Sequence, residues 1–152
     1  MRIGVISDTH DLLRSTAKDF LRGSDLIIHA GDICGTAVLE ELSRIAPVAA
    51  VRGNNDRGEW AAGLPETRLE QVGSHRIYVI HDLARIGLDP AASGVGVVIS
   101  GHSHRPLAKA RDGVLYLNPG SAGRRRFKLP ISIAEIIIEG DRIEARLVEL
   151  AA

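Results

Sequence analysis

The chain has 152 residues, 45% of them hydrophobic and 25% charged, and its 19 basic residues balance 19 acidic ones. This composition is typical of one globular domain, which we expect to span residues 1–152. Zero net charge argues against a general nucleic-acid coat or an anionic-membrane binder. With one cysteine, no signal peptide and no membrane span in the sequence, we expect a cytoplasmic protein with no membrane partner.

In the first third of the chain, short apolar runs alternate with stretches whose apolar residues have helical spacing. Residues 3–6, 26–28 and 48–51 predict strands that are buried on both faces. Apolar residues three and four positions apart predict two helices between them, one ending near Gly23 and one before Pro47. This alternation indicates a parallel sheet with the carboxyl ends of its strands on one edge.

The remainder of the chain carries hairpin patterns. Gly73-Ser74 and Gly140-Asp141 each separate two apolar stretches, and further strands are expected at 97–99 and 114–117. We therefore predict an α/β fold of two packed mixed β-sheets flanked by helices, the first leaning parallel and the second antiparallel. Residues 53–65, which include Trp60, have no assignable element, and Trp60 is a packing anchor, a subunit contact or part of a lid.

Side chains that bind metals follow five of the predicted strands, and they are Asp8, His10, Asp32, Asn54, His81, His102 and His104. In extended backbone, residues i and i+2 point to the same side, so Asp8 and His10 can reach one ion together. Open α/β sheets bind ligands at the carboxyl ends of their strands, so the five segments can converge. Oxygen and imidazole donors without thiolates favour Mn, Fe, Zn, Ni or Mg.

A carboxylate has two oxygens and can hold two metal ions about 3.5–4 Å apart. Asp32 is central among the predicted strands. We therefore expect it to be the bridging residue if two ions are bound.

The order of these motifs resembles a known family. The matching segments are Asp8-x-His10, Gly31-Asp32, Gly53-Asn54-x-Asp56, His81 and Gly101-His102-Ser103-His104. Together they are similar to the motif set of the calcineurin-like metallophosphoesterases. The small size and the segment 118–121 resemble the compact YfcE-type phosphodiesterase branch. The resemblance runs from Asp8 to Ser121 and implies a β-sandwich flanked by helices.

The resemblance implies two divalent ions, with Mn expected first and Fe, Zn, Ni or Mg as alternatives. One ion would be held by Asp8, His10, Asp32 and His104, and the other by Asp32, Asn54, His81 and His102. In the family a metal-bridging hydroxide attacks phosphorus in line and displaces an alcohol. We expect a phosphodiesterase acting on a small-molecule phosphoester in preference to nucleic acid, and a homodimer or homotetramer, as relatives often are.

Two positions depart from the family pattern. Asn55 stands where many relatives have a histidine that protonates the leaving oxygen, and Asp82 follows His81 where glycine is more usual. We treat Asn55 and Asp56 as catalytic candidates, and Asn54 and Asn55 as substrate contacts. Asp56 has two alternatives, a residue that closes a turn or one that orients a ligand.

Other polar residues have simpler interpretations. We expect His29 to be a hydrogen-bonded structural residue, His75 to be exposed, and Cys34 to be buried as a small apolar side chain. The basic run 124–126 with Lys128 is a solvated loop or a clamp for substrate phosphate. The alternative functions are a phosphomonoesterase and a non-catalytic interaction module of the same fold, such as the related retromer subunit.

Overall fold

A computed structural model describes residues 1–151, which form ten strands in two five-stranded sheets. The first sheet contains β1 (Arg2–Ile6), β2 (Leu26–His29), β3 (Val48–Ala50), β9 (Ser132–Glu139) and β10 (Arg142–Glu149). The second contains β4 (Thr67–Val72), β5 (His75–Ile80), β6 (Val97–Ile99), β7 (Leu107–Arg111) and β8 (Val114–Asn118). The α-helices are α1 (Ser15–Leu21), α2 (Thr36–Ser43) and α3 (Glu59–Ala62), and a 3-10 helix spans Leu83–Arg85.

Both sheets are mixed, as predicted. In the first, the order is β10-β9-β1-β2-β3, with β1, β2 and β3 parallel and β9 and β10 antiparallel. In the second, the order is β4-β5-β6-β8-β7, with β5, β6 and β8 parallel. The expected antiparallel character of the second sheet is therefore wrong at its centre. The central strands are joined by crossover segments, and only the edge strands β4 and β7 pair as hairpins.

An apolar layer packs against each face of the first sheet. Between the sheets lie buried residues such as Ile28, Val79 and Ile99, while the outer face packs on α1 and α2 through Leu21 and Leu42. Burying each of these side chains contributes about 1.5–3 kcal/mol. Trp60 in α3 packs against the second of these layers, so it serves as a packing anchor.

Within residues 1–151, the α-helices pack on the first sheet, and the 3-10 helix lies over the second. The outer face of the second sheet is covered by the loop region that follows β5, through Leu83, Ile86 and Val95. Within residues 1–151, no helix is both long and apolar enough to cross a membrane.

The fold brings the carboxyl ends of strands from both sheets together. The Asp8 N–H donates to the Gly31 carbonyl at 3.0 Å, which joins the loops after β1 and β2. In the second sheet, the Gly101 N–H donates to the His81 carbonyl at 3.0 Å and joins the loops after β5 and β6. The His102 N–H donates to Asp8 Oδ2 at 3.1 Å and joins the loops of the two sheets, so the predicted convergence is present.

Candidate metal centre

The loops at this edge contain unusual backbone conformations. Five of the predicted metal-ligand residues have positive φ angles, namely Asp8 (54°), His10 (46°), Asp32 (57°), His102 (68°) and His104 (62°). Left-handed backbone is unfavourable for residues other than glycine, costing of order 1–3 kcal/mol each, and it clusters at functional sites. At these five positions the left-handed backbone turns the chain sharply after its strand and directs the side chain toward the other predicted ligand residues.

The first donor group consists of Asp8, His10 and His104, whose ligand atoms lie within 4.8 Å of one another. Asp8 Oδ1 is 3.4 Å from His104 Nε2 and 3.9 Å from His10 Nε2. Asp8 Oδ1 and His10 Nε2 are both buried, and neither has a hydrogen-bond partner among the described residues. Buried polar atoms of this kind are rare in proteins unless they meet an ion or water.

The other oxygen of Asp8 is fully engaged. The Ser7 hydroxyl donates to Asp8 Oδ2 at 2.7 Å, and the His102 N–H donates to the same atom at 3.1 Å. These bonds fix the carboxylate so that Oδ1 faces the other donors. The sequence patterns do not single out Ser7, although it directly precedes Asp8 at the end of β1.

The second donor group consists of Asp32, His81 and His102, again within 4.8 Å. Asn54 Oδ1 joins them, at 3.1 Å from His81 Nε2 and 3.2 Å from His102 Nδ1. His81 Nδ1 lies 2.7 Å from the Ala30 carbonyl, which can only accept a hydrogen bond. The proton of neutral His81 is therefore on Nδ1, and the Nε2 lone pair faces the donors.

Asp32 connects the two groups. Its Oδ2 is 3.8 Å from His10 Nε2 in the first group and 3.3 Å from His81 Nε2 in the second. His81 Nε2 also lies 4.0 Å from Asp8 Oδ1. All seven predicted ligand residues thus meet in one place.

The electrostatics suit cations. Burial alone would raise the pKa of Asp32, but hydrogen bonds from His81 and Asn55 outweigh it and hold that pKa well below its usual range. Burial opposes a charge on His81, yet Asp32 and Asp8 raise its pKa overall. When His81 is protonated its Nε2–H faces Asp32, and a divalent ion would take the place of that proton on Nε2, so the carboxylates and imidazoles form a donor set that fits divalent ions.

Asp56 is buried beneath the loop after β2. Its carboxylate accepts hydrogen bonds of 2.8–3.0 Å from the N–H groups of Asp32, Ile33, Cys34 and Gly53. Both oxygens are occupied by backbone donors, so Asp56 closes its own turn and fixes the position of Asp32. Asp56 therefore does both of the things that the sequence left as alternatives, since it closes a turn and it orients Asp32.

Asn55 lies at the exposed side of the centre. Its N–H donates to Asp32 Oδ1 at 2.8 Å and its side-chain amide donates to Asp32 Oδ2 at 3.0 Å. The amide thus lies beside the oxygen that joins the two groups, in a position to contact a ligand there.

His29 supports the loops from below. It is fully buried, accepts from the Gly31 N–H at 3.0 Å, and its other ring nitrogen lies 3.0 Å from the Thr9 hydroxyl. The expected structural role of His29 is confirmed. His75 is only half-buried, with a ring nitrogen 2.8 Å from the Gly140 carbonyl.

Cys34 differs from the prediction. It is only half-buried, and its Sγ lies 3.6 Å from His10 Nδ1 and 3.7 Å from the Asn55 carbonyl. The chain turns through φ +64° at Cys34, which directs the thiol to the rim of the centre instead of the apolar layer. Burial and the nearby carboxylate of Asp56 raise the pKa of the thiol to about 11, so it is uncharged at neutral pH.

Comparison with known proteins agrees with the motif set. The family model described as a calcineurin-like phosphoesterase superfamily domain matches residues 1–141. A probable metallophosphoesterase of Methanothermobacter thermautotrophicus is 35% identical, covering 100% of this chain and 94% of the relative. A phosphodiesterase of Methanocaldococcus jannaschii is 31% identical, covering 79% of this chain and 83% of the relative.

A solved structure shows the same fold. Vacuolar protein sorting 29 from Cryptosporidium parvum superimposes with a TM-score of 0.85 at 20% identity, covering 99% of this chain and 91% of that one. At this identity the likeness concerns the fold alone. Because the family model spans most of the sequence and the relatives cover most of it as well, the chain belongs to the calcineurin-like phosphoesterase superfamily.

Proposed function

We propose that this protein is a metal-dependent phosphoesterase that prefers phosphodiesters and binds two divalent ions. The observation that carries the proposal is the pair of donor groups that meet at Asp32, with buried Asp8 Oδ1 and His10 Nε2 lacking any hydrogen-bond partner among residues 1–151. Desolvating these atoms without a partner is costly, and a cation between them removes that cost.

The donor positions suggest how the ions are shared. We assign Asp8, His10, Asp32 and His104 to one ion, and Asp32, Asn54, His81 and His102 to the other. Asp32 then bridges, because its Oδ2 already faces a histidine of each group. Mn is our first choice of metal, with Fe, Zn, Ni and Mg as the alternatives for oxygen and imidazole donors.

The bound metals would lower the pKa of a water molecule and neutralise charge on the phosphate oxygens. In the overall reaction the water oxygen bonds to phosphorus, one phosphorus–oxygen ester bond breaks, and the departing oxygen gains a proton. The products are a phosphomonoester and an alcohol.

The protein's own residues have distinct roles in this proposal. Asn54 and Asn55 contact the phosphoester, and the Asn55 amide donates a hydrogen bond without being able to give up a proton at neutral pH. Diesters with acidic leaving groups are therefore favoured. Asp56 acts through Asp32 and is a positioning residue, since backbone N–H groups occupy its carboxylate.

Hydrolysis of an aryl phosphodiester tests this function. Protein stripped of metal and reloaded with Mn is expected to hydrolyse bis(4-nitrophenyl) phosphate, Asp32→Ala to lose that activity, and His75→Ala to retain it. A fully metal-loaded protein with no turnover on a panel of diesters and monoesters would contradict the proposal and favour the non-catalytic module. Faster turnover of monoesters would reverse the order of the two enzyme alternatives.

A further inference from the structure

Asp82 directly follows His81 and faces another histidine of the second donor group. Its Oδ2 lies 3.9 Å from His102 Nε2, which is within ion-pair distance. In the part of the chain that the structure describes, it is the only carboxylate within 4.0 Å of that nitrogen. Asp82 belongs to neither donor group, so it can influence a bound ion through His102 without being a ligand.

The two ring nitrogens of His102 face different partners. Nδ1 lies 3.2 Å from Asn54 Oδ1, and the same oxygen is 3.1 Å from His81 Nε2. The rings of His81 and His102 meet edge to face, with their centroids 5.2 Å apart. Nδ1 is therefore the atom that faces the other donors of this group, while Nε2 faces Asp82.

Asp82 is held in place by the backbone that follows it. Its Oδ1 accepts a hydrogen bond from the Ala84 N–H at 3.1 Å, and its carbonyl accepts one from the Arg85 N–H at 3.0 Å. These bonds close the 3-10 helix, whose Leu83 packs on the second sheet. Because Oδ1 is engaged by the backbone, Oδ2 is the oxygen left to face His102.

The loops that carry Asp82 and His102 are joined by backbone hydrogen bonds. The Gly101 N–H donates to the His81 carbonyl at 3.0 Å, and the His102 N–H donates to Asp8 Oδ2 at 3.1 Å. These bonds fix the two residues next to each other at the rim of the centre. Their side chains are partly exposed, 32% for Asp82 and 45% for His102.

The chemistry of imidazole connects this contact to metal binding. A neutral imidazole has one proton and one lone pair on its two nitrogens, so an ion bound at Nδ1 of His102 requires the proton to be on Nε2. A carboxylate only accepts hydrogen bonds, so Asp82 favours that form and limits rotation of the ring. Histidines that bind metals commonly donate their other N–H to a carboxylate or a carbonyl, as His81 does to the Ala30 carbonyl.

We infer that Asp82 is a positioning residue that accepts the Nε2–H of His102 and thereby presents Nδ1 to the ion at the second donor group. The inference rests on the proposed function, because that ion is part of the proposal. Removing an outer partner of this kind lowers metal affinity by about 10–100-fold. Since both side chains are partly exposed, we expect a loss of about tenfold at Asp82.

Two variants separate this role from the capping of the 3-10 helix. Asp82→Ser keeps an oxygen for the Ala84 N–H and leaves none facing His102. Asp82→Asn has a single accepting oxygen, so its amide N–H must point either at the Ala84 N–H or at the Nε2–H of His102. Both variants lose the same charge, but only asparagine places one donor against another. We therefore expect metal affinity to fall in the order wild type, Asp82→Ser, Asp82→Asn.

Calorimetric titration with Mn measures the binding of both ions. Asp82→Asn is expected to weaken the binding of one ion about tenfold and to leave the other nearly unchanged. Asp89→Asn is the matched control, because Asp89 also accepts a backbone N–H, from Ala92 at 3.4 Å, and lies within 4.0 Å of no described histidine. Urea unfolding of metal-free Asp82→Ser is expected to give the wild-type free energy, since the cap is retained.

NMR of protein loaded with diamagnetic Zn observes the proton itself. Two-bond 1H–15N spectra identify the Nε2–H of His102 and show which ring nitrogen binds the ion. In the wild type this proton is expected to exchange slowly with water, and in Asp82→Ser it is expected to exchange several-fold faster. A residue that only capped the 3-10 helix would leave this exchange rate unchanged.

The outcomes distinguish the inference from the proposed function. If the wild type binds two ions and hydrolyses no phosphoester, the proposed function is wrong, whereas affinity and proton exchange still decide the role of Asp82. The inference is overturned, and the proposed function stands, if the variants bind both ions as the wild type does, lose affinity for both ions equally, or show equal losses for serine and asparagine. Failure of the wild type to bind a second ion overturns both.

Discussion

The carboxylate of Asp56 accepts a hydrogen bond of 3.0 Å from the backbone N–H of Asp32, directly beneath the carboxylate that joins the two donor groups. Three further N–H groups donate to the same side chain. Asp56 is buried and therefore holds the loop that carries Asp32, the residue that we propose to bridge two ions. We therefore expect this contact to support both the stability of the loop and metal binding.

The substitution Asp56→Asn is expected to lower both the unfolding free energy and the affinity for metal. The asparagine side chain would offer one accepting oxygen and would place an amide N–H against backbone donors, so we expect a loss of about 2–4 kcal/mol in unfolding free energy. Urea unfolding of the metal-free protein measures this loss, and titration with Mn measures the accompanying loss of affinity. Asp141→Asn, an exposed change in the β9–β10 turn, is the control. Equal stability of the two variants would contradict the role of Asp56.

His29 predicts a pH dependence of stability. Burial lowers the pKa of His29 from 6.5 to about 3, so the folded protein leaves the ring neutral where the unfolded chain protonates it. The contribution of neutral His29 to the free energy of unfolding is complete above about pH 6.5. It is lost as the pH falls toward 3, by up to about 1.4 kcal/mol per pH unit. His29→Gln is expected to be less stable at pH 7 and to approach the wild type as the pH falls to 5.

Urea unfolding of metal-free wild type and His29→Gln at several pH values checks this expectation. The comparison cancels the other titrating groups, which both proteins share. A gap in unfolding free energy that stays constant from pH 7 to pH 5 would show that His29 is not held neutral.

Metal removal is expected to destabilise the fold. Asp8 and Asp32 lie beside three histidines, and an ion that binds only the folded state stabilises it by mass action. At a hundredfold excess over Kd this amounts to about 2.7 kcal/mol, or roughly 5–10 °C in Tm. Calorimetry before and after verified chelation measures the shift. An unchanged Tm would count against a shared site.

Asn55 sets the expected leaving-group preference. Its amide lies 3.0 Å from Asp32 Oδ2 and can donate a hydrogen bond but not a proton. Asn55→His supplies a general acid, so we expect kcat on an alkyl methyl phosphodiester to rise roughly tenfold or more, with little change on an aryl diester. Steady-state kinetics on alkyl and aryl diesters tests this expectation. An unchanged kcat on both classes would show that Asn55 does not set the leaving-group preference.

Much of the centre is predictable because its donors directly follow apolar strands. Asp8 follows β1 and Asp32 follows β2, so the ends of two parallel strands bring them together, and His81 follows β5 of the second sheet and joins them through the packing of the two sheets. Residues that act through the backbone give weaker signals. Nothing in the pattern around Asp56 distinguishes a turn from a support for Asp32, since the difference lies in long-range N–H groups.

The second sheet shows the limits of sequence patterns. Every residue of β7 is exposed, so the alternation of alanine with Lys109 and Arg111 marks no buried face and gives only a weak strand signal. The parallel pairing of β6 with β5 and β8 depends on crossover segments that carry little periodic signal. The half-exposed thiol of Cys34 likewise results from a local φ of +64°, which composition does not reveal.

The number and spacing of bound ions test the central proposal most directly. Metal-free protein titrated with Mn is expected to bind two ions per chain, and at two equivalents its electron paramagnetic resonance spectrum should show exchange coupling between neighbouring ions. Asp32→Ala should lose that coupling while His75→Ala keeps it. Binding of a single ion, or of two ions with the spectrum of isolated Mn in wild-type protein, would contradict a centre bridged by Asp32.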